Sequence, residues 1–402
     1  MKILVANLGS TSFKYRLYDL VGGDEILLAR GAVERIGSDQ AKVTIKSPKG
    51  EIELVEPIAD HGDAVQICLD QLTDAEFGVL EKAADVAAIG FKAVHAKGLT
   101  GVQLVTEDVL EAMEVFATVA PAHNPPYVAA MRMLGDRFPS IPLVAAFETG
   151  FHRSIPEAQQ RYAIPEQWST EFGIRRWGFH GASHRYIAGR MTELTGRSDL
   201  KVISCHLGGS SSLCAIKAGK SVACSLGMSP QTGLPQNNRV GDFDVFALPV
   251  ILEQTGLPLA KVLDILANAS GLEGLCGLRD LRDIEAAATS GDTRAILALD
   301  VFIASIRHYL GAYLLELGGV DAIVFTGGIG ENSARIRAGV CRDLKWFGIE
   351  MDWVGNTEGS GERKVSAPGS RVEVWTVPTN EEIVVARQTR DLLMSKKTSI
   401  PG

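Results

Sequence analysis

Five charged or basic side chains stand where a folded chain puts chemistry rather than solubility. Arg239 lies in PQNNRVGD, a loop of Pro, Asn and Gly, and His180 lies in the glycine-flanked GFHGASH. Lys92 and His95 share GFKAVHAKG at the end of an apolar run, and Glu148 follows VAAF in VAAFETGFH. Charged groups at the carboxyl ends of strands in an open α/β sheet face the usual binding crevice. A guanidinium in such a loop can clamp charge that moves during group transfer. Exposed arginines are commonly only solvated, a lone histidine is commonly a structural hydrogen-bonder, and Glu148 could equally pair with a surface arginine. The case for chemistry therefore comes from what surrounds them.

The surroundings carry a donor-rich turn used twice. ILVANLGSTSFKYRLYDL from Ile3 and VISCHLGGSSSLCAIKAG from Val202 follow one plan: an apolar strand, Leu-Gly, a run of small hydroxyl residues, and a second apolar strand. Such a turn lets backbone N–H groups and hydroxyls converge on one point, which suits an anion such as phosphate. One Gly-Ser turn would be an ordinary hairpin loop, but an echo about two hundred residues later has the spacing of a duplicated domain. A third glycine turn, GGIGEN over 327–332, falls between a buried strand and a helix, where backbone can approach a nucleotide closely. It lacks the further glycine after Gly330 that the dinucleotide fingerprint needs, and a tight strand-to-helix turn is its competing reading.

Two look-alikes are set aside. Gly219-Lys220-Ser221 resembles the end of a P-loop, but Cys214 stands where the first glycine belongs and no helical pattern follows Ser221. His180 and His184 are four apart as in a zinc helix, yet Gly181 replaces the expected glutamate, and Ser183 reads as a helix cap.

Periodicity predicts the elements that hold these groups. Residues 1–20 read as a strand pair, 52–59, 86–94 and 143–147 as strands, and 61–74 and 108–120 as helices, an alternation that predicts a mostly parallel sheet. Residues 150–178, rich in aromatics, Pro and Arg, read as an irregular linker beside the cleft. The repeat restarts at Lys201, and 298–317 reads as a long helix stopped at Gly318-Gly319. DAIVFTGGIGENSARIR reads as a strand, a glycine turn and a helix from near Asn332; residues 355–371 read as an exposed loop. The last stretch reads as a strand followed by a helix capped near Thr379.

At 402 residues the chain exceeds what one core usually serves, so two domains are expected. A net charge of −8 argues against nucleic acid, because no basic stripe is present to neutralise phosphates. Six cysteines, Cys68, Cys205, Cys214, Cys224, Cys276 and Cys341, form no C-x-x-C pair, as buried thiols of a reducing compartment do. Neither a signal peptide nor an apolar run of membrane-spanning length is read, so the expected location is cytoplasmic.

With these residues in hand, the chain resembles the acetate kinase family of short-chain carboxylate kinases, within the actin-like ATPase and sugar kinase superfamily. The resemblance is carried by NLGSTSFKY (7–15), GAVERIG (31–37), PAHNPP (121–126), GFHGASH (178–184), HLGGSSS (206–212), RVGDFD (239–244), FTGGIGENS (325–333) and PTNEE (378–382). It implies a duplicated actin-like (ribonuclease H-like) α/β fold, two lobes with nucleotide in the cleft between them. Residues 1–150 would form the first lobe, on the substrate and Mg²⁺ side, completed by a C-terminal helix over 380–402; residues 151–379 would form the nucleotide-binding second lobe.

The resemblance further implies ATP/ADP as co-substrate and Mg²⁺ or Mn²⁺ at Asn7 and Glu381. ATP would meet Ser10, Ser12 and Lys14 in a first phosphate loop and His206, Leu207, Gly208, Gly209 and Ser210 in a second. Asp280, Leu281, Arg282, Gly328, Ile329, Gly330, Glu331 and Asn332 would form the adenosine pocket. The implied catalytic set is Lys92, His123, Glu148, His180 and Arg239, and the implied substrate pocket is Lys92, Val94, Ala122, Phe179 and Pro230. A homodimer is implied, with no nucleic-acid or membrane partner.

Three departures from the family's pattern bear on chemistry. Lys92 replaces a substrate-binding arginine, losing the planar fork suited to a carboxylate. Glu148 replaces an aspartate and is one methylene longer. Gly208-Gly209-Ser210 replaces Gly-Asn-Gly in the second phosphate loop. The function implied is reversible, in-line phosphorylation of acetate or propionate to the acyl phosphate. The alternatives are a same-fold kinase for a different or larger substrate, and a catalytically weak nucleotide-binding paralogue with a regulatory role. Ala122 stands where a larger aliphatic residue is usual, and the vacated apolar volume predicts propionate or butyrate over acetate.

Overall fold

The computed structural model describes residues 1–398 apart from Ser10 and Ala122, so those two expected site residues lie outside the described residues. The chain divides into two compact units, Met1–Gly150 with Asn380–Gly402, and Phe151–Thr379.

The first unit opens with a five-stranded meander, β1 (Lys2–Gly9), β2 (Ser12–Val21), β3 (Asp24–Glu34), β4 (Ser38–Ser47) and β5 (Gly50–Ile58). Along β2 the buried Phe13, Tyr15 and Leu17 alternate with Lys14 and Arg16, the period-two pattern that puts one face in the core. Helix α1 (His61–Leu72) begins where Asp60 accepts from the N–H of Asp63. There follow β6 (Val86–Ala93), β7 (Val102–Leu104), α2 (Glu107–Val115), α3 (Asn124–Arg137) and β8 (Leu143–Phe147). The strand order is β5-β4-β3-β2-β1-β6-β8-β7, and only β1–β6 and β6–β8 pair in parallel. The expected mostly parallel sheet is thus corrected: no helix intervenes among the first five strands, so each returns by a short turn and pairs antiparallel.

The second unit begins with two short helices, α4 (Glu157–Gln160) and α5 (Glu166–Phe172), where an irregular segment was expected; Arg175 stacks 3.7 Å over the Trp177 ring there. Next come α6 (Gly181–Thr195), β9 (Lys201–His206), β10 (Ser212–Lys217) and β11 (Lys220–Cys224). The rejected P-loop match is the β10–β11 hairpin turn, with Ala218 and Gly219 at φ 48° and 73° as a type I′ turn demands. Five helices follow, α7 (Ala247–Thr255), α8 (Leu259–Asn268), α9 (Gly271–Cys276), α10 (Leu281–Thr289) and α11 (Thr293–Glu316). The unit closes with β12 (Ala322–Thr326), α12 (Gly327–Asn332), α13 (Ala334–Cys341), α14 (Trp353–Thr357), β13 (Arg363–Lys364) and β14 (Glu373–Thr376). Its sheet order is β11-β10-β9-β12-β14-β13.

The strands β3-β2-β1-β6-β8 and β11-β10-β9-β12-β14 share order and pairing sense, two antiparallel joins followed by two parallel ones. The fold is therefore one plan used twice, each unit carrying its own core: Phe13, Leu69 and Phe91 lie in the first, Leu213, Phe302 and Phe325 in the second.

Three local expectations change. Helix α11 is long and apolar enough to cross a membrane by length and composition, which no run was expected to be. Its Leu299, Phe302, Ile306, Leu310 and Tyr313 recur at three- and four-residue spacing and fill the second core. GGIGEN, expected as a turn, is itself a short helix; the next one, α13, begins near Asn332 as expected, capped by Ser333, whose Oγ accepts from Ile336 N. Residues 355–371 are not wholly a surface loop, since Asn356 and Val365 are buried and β13 lies among them.

The final helix, α15 (Glu381–Thr398), returns to the first unit and lies against β1, β2 and β6. Its cap is Asn380 rather than Thr379: the Asn380 Oδ1 accepts from Ile383 N, and also from Arg16 and the Tyr18 hydroxyl on β2, each at 3.2 Å. The helix approaches β6 closely because Gly90 has no side chain; a Cβ there would meet Thr389 Oγ1 at 2.5 Å. Gly90→Ala is therefore expected to destabilise the protein by about 1–3 kcal/mol in urea unfolding, and Thr389→Ala should recover much of that loss in the double variant.

Candidate functional site

In the first unit, five elements converge on Lys92. Its Nζ, on β6, donates to Glu381 Oε2 at 2.8 Å, where α15 begins. Burial works against the ammonium, but the carboxylates of Glu381 and Glu148 outweigh it and raise the Lys92 pKa above that of a free lysine. Glu148 is buried at the end of β8. Tyr127, on α3, donates to Asn7 Oδ1 at 3.1 Å and accepts from Leu8 N at 3.3 Å, so it ties the end of β1 to the same cluster. Burial raises the Tyr127 pKa and keeps the phenol protonated. Tyr127 was missed in the sequence; its signal was PAHNPPY, one helical turn after His123.

The other first-unit residues surround this cluster less directly. His123 is the N-cap residue of α3, and its carbonyl accepts from Tyr127 N at 3.2 Å. Lys14 is exposed on β2 in register with Asn7. Ser12 faces Gly9 across the first turn, and a Cβ on Gly9 would meet Ser12 Oγ at 2.5 Å, so the hydroxyl packs directly over the glycine. Val94 is half-buried just past β6. His95 is fully buried with its ring 4.5 Å from that of Phe116, the position of a core histidine.

Asn7 and Glu381 offer oxygen donors, the kind Mg²⁺ prefers, and among the described residues no group of three or more His, Cys, Asp or Glu could hold a metal alone. That donor set fits an ion that binds one or two protein oxygens and takes its remaining ligands from phosphates and water.

In the second unit the two glycine segments are stitched together. The Leu207 carbonyl accepts from Ile329 N at 2.9 Å and Gly330 N at 3.1 Å, while Leu207 N donates to Thr326 O at 2.8 Å. Gly327, at φ 77°, makes this possible, because a Cβ there would lie 2.7 Å from the Leu207 oxygen. A Cβ on Gly328 would meet nothing within 4 Å, so backbone is open to approach at that point. Glu331 accepts from Gly327 N and Thr379 N, and burial raises its pKa. Asn332 donates to Gly328 O at 2.8 Å.

Arg337, buried on α13, holds the far end of α12: it donates to Gly330 O and Glu331 O, and to Asn356 through both Oδ1 and the carbonyl. Burial lowers its pKa to about 10. Nothing in the sequence marked Arg337, whose partner Asn356 is 19 residues on. Asp280 caps α10 and is gripped by Arg282, whose guanidinium lowers its pKa to about 2; Leu281 beside them is buried.

Arg239 donates to Ser210 Oγ at 3.2 Å and Gln236 Oε1 at 3.1 Å, and burial lowers its pKa. Gln236, fully enclosed, donates in turn to Pro230 O at 2.8 Å. Gly208 and Ser211 close the second turn on each other. Asn237 N donates to Gly209 O at 3.3 Å, and its side-chain amide stands 3.4 Å from where a Cβ on residue 209 would be. The Asn237 amide, from another loop, thus lies beside Gly209.

Four histidines adjoin this turn. His180, at φ 55°, is the N-cap residue of α6 and its Nδ1 lies 2.8 Å from Ser212 Oγ; its ring lies 4.3 Å from that of His206, tilted by 30°. Ser183 is not the helix cap: it is buried inside α6, 2.8 Å from His206 Nδ1. Both His184 nitrogens lie 2.9 Å from serine hydroxyls, of Ser204 and Ser212. His152 bonds Ser221 and the carbonyl of Phe179, itself buried, and packs where a Cβ on Gly178 would meet it at 2.6 Å.

The acetokinase family pattern matches residues 2–387. The acetate kinase of Carboxydothermus hydrogenoformans is 40% identical over 400 residues, covering 98% of this chain and 100% of that one. The chain belongs to the acetokinase family. Among solved structures, an acetate kinase from Porphyromonas gingivalis superposes with a TM-score of 0.87 at 36% identity, over 98% of this chain and 99% of that one. A propionate kinase from Francisella tularensis superposes with a TM-score of 0.88 at 31% identity, over 97% and 99%. Family and strand plan agree on the duplicated actin-like fold.

Burial gives this histidine group a pH signature. It lowers the His152 pKa to about 4 and puts His184 well below the usual value. The unfolded chain takes up these protons near pH 6.5 while the folded chain refuses them, so stability present above pH 6.5 is lost as the pH falls toward 4. His152 alone should cost about 2 kcal/mol by pH 5. Urea unfolding at pH 7.5 and pH 5 measures this, and the difference should shrink in His152→Asn.

Proposed function

We propose that this member of the acetokinase family is a carboxylate kinase that transfers the γ-phosphoryl group of ATP reversibly to a short-chain acid, forming the acyl phosphate and ADP. The observation that carries this reading is the family match across residues 2–387. A carboxylic acid is already ionised at neutral pH, so its oxygen attacks the γ-phosphorus without a general base while the bond to the ADP oxygen breaks. Catalysis then reduces to positioning and charge neutralisation, which suits a site of lysine, arginine and histidine.

In this reading Lys92 holds the acid's carboxylate and Glu148 orients the acid or the metal, with Val94, Ala122, Phe179 and Pro230 around its alkyl group. Arg239 and His180 meet the charge of the moving phosphoryl group, and His123 assists. Ser10, Ser12, Lys14 and His206 to Ser210 bind phosphates, while Asp280, Leu281, Arg282 and Gly328 to Asn332 bind the adenosine. Mg²⁺, held by Asn7 and Glu381, would neutralise the β- and γ-phosphate charge when bound with the nucleotide. The first unit carries the acid and metal, the second the nucleotide. The protein works in the cytoplasm as a homodimer; the exposed apolar side chains around α7, among them Phe246 at 82% exposure and Val250 at 59%, support a second copy as its partner.

A hydroxamate assay with ATP, Mg²⁺ and a panel of acids tests the activity, and product from none of them overturns it in favour of a nucleotide-binding regulator. One added methylene in the pocket is worth about 0.8 kcal/mol, or roughly fourfold, so propionate or butyrate should exceed acetate in kcat/KM, and Ala122→Leu should narrow that gap. Arg239→Ala should lower turnover by roughly a thousandfold with ATP affinity nearly unchanged; turnover near wild type would make Arg239 a structural residue.

A further inference from the structure

Ser212 is fully buried on β10, and its single hydroxyl lies between two imidazoles, 2.8 Å from Nδ1 of His180 and 2.9 Å from Nε2 of His184. His184 is itself fully buried, and its Nδ1 lies 2.9 Å from Oγ of Ser204, also fully buried. Burial, then His152 and His206, keep His184 neutral, so its ring carries one N–H.

Two directions of donation fit these three contacts. In one, Ser204 donates to Nδ1 of His184, Nε2–H of His184 donates to Ser212, and Ser212 donates to Nδ1 of His180. In the other every bond reverses, and the Ser204 proton loses its acceptor, because His184 is the one partner of Ser204 Oγ among the described residues. A buried hydroxyl proton without an acceptor is costly, whereas the first direction gives the donors of Ser204, His184 and Ser212 an acceptor each.

We propose that Ser204, His184 and Ser212 form a one-way hydrogen-bond relay that fixes His180 as the neutral tautomer with its proton on Nε2. Ser183 lies likewise against His206, its buried hydroxyl 2.8 Å from Nδ1, so consecutive residues of α6 serve two rings whose centroids are 4.3 Å apart. The relay rests on the reading of His180 as a donor to the moving phosphoryl group. A proton on Nε2 makes that nitrogen a donor before the reaction begins; the opposite tautomer would turn a lone pair toward phosphoryl oxygens. Ser212 and His184 are positioning residues, acting through His180.

Ring-¹⁵N-labelled histidine in the full chain reads the tautomer, with the His180 signal assigned by its loss in His180→Ala. The wild type should show His180 protonated on Nε2 and bare on Nδ1. Ser212→Ala should give mixed tautomers, with kcat lowered on the order of tenfold to a hundredfold and KM for ATP and acid within about twofold. Ser212→Thr keeps the hydroxyl and should recover most of the rate, and His184→Gln, which keeps an N–H, should outperform His184→Leu. A wild-type proton on Nδ1, or on both nitrogens, overturns the relay whatever the variants do, as does full kcat in Ser212→Ala. Full turnover in His180→Ala would instead refute the catalytic role of His180, while the spectrum still decides the relay.

Discussion

A single carbonyl oxygen, that of Leu207, holds the second unit's two glycine segments in one place. It accepts from Ile329 and Gly330, and the space it occupies exists only because residue 327 has no side chain. The segment after β9 and the helix after β12 are thereby tied into one backbone network, braced from behind by Arg337 on the carbonyls of Gly330 and Glu331. Backbone donors cannot be re-aimed by rotamer changes, so a turn fixed in this way keeps its N–H groups in one orientation.

The first unit solves a different problem. Its cluster gathers an ammonium and two carboxylates in a partly buried space, and the charges stabilise each other: Lys92 is kept protonated by Glu381 and Glu148. The ammonium of Lys92 is a compact point charge on a flexible stem, which makes less directional demand on its partners than a planar guanidinium fork would.

Much of this was legible in the sequence where local chemistry dictates local shape. The hairpins at Gly9 and Gly208 announce themselves by small residues between apolar strands, and Gly318-Gly319 stops α11 as expected. The strands β3 and β4 escaped notice because Ile26 and Leu27 are exposed and charged residues interrupt the apolar alternation. The sense of the sheet was misread for the same reason. The roles of Tyr127, Arg337 and Ser212 were not legible for another: each is one polar residue whose meaning lies in partners 120, 19 and 32 positions away. GGIGEN read as a turn because glycine disfavours helix, yet the Leu207 carbonyl supplies from outside the bonds that six residues cannot supply alone.

The return of α15 to the first unit has a consequence for biosynthesis. Lys92 and its partner Glu381 are 289 residues apart, and Asn380 joins Arg16 across 364. At about 5–20 residues per second, the ribosome needs on the order of 15–60 s to deliver Glu381 after Lys92 has been made. Through that interval Gly90 lies uncovered in β6 and the nascent first unit has an open sheet face and an unmatched ammonium. The intervening 151–379 segment, continuous in the chain, can complete its own core first. Maturation of the Lys92 cluster thus waits until synthesis has passed residue 381, and a nascent chain stalled before it would hold a finished second unit while the first is still exposed to chaperones and proteases.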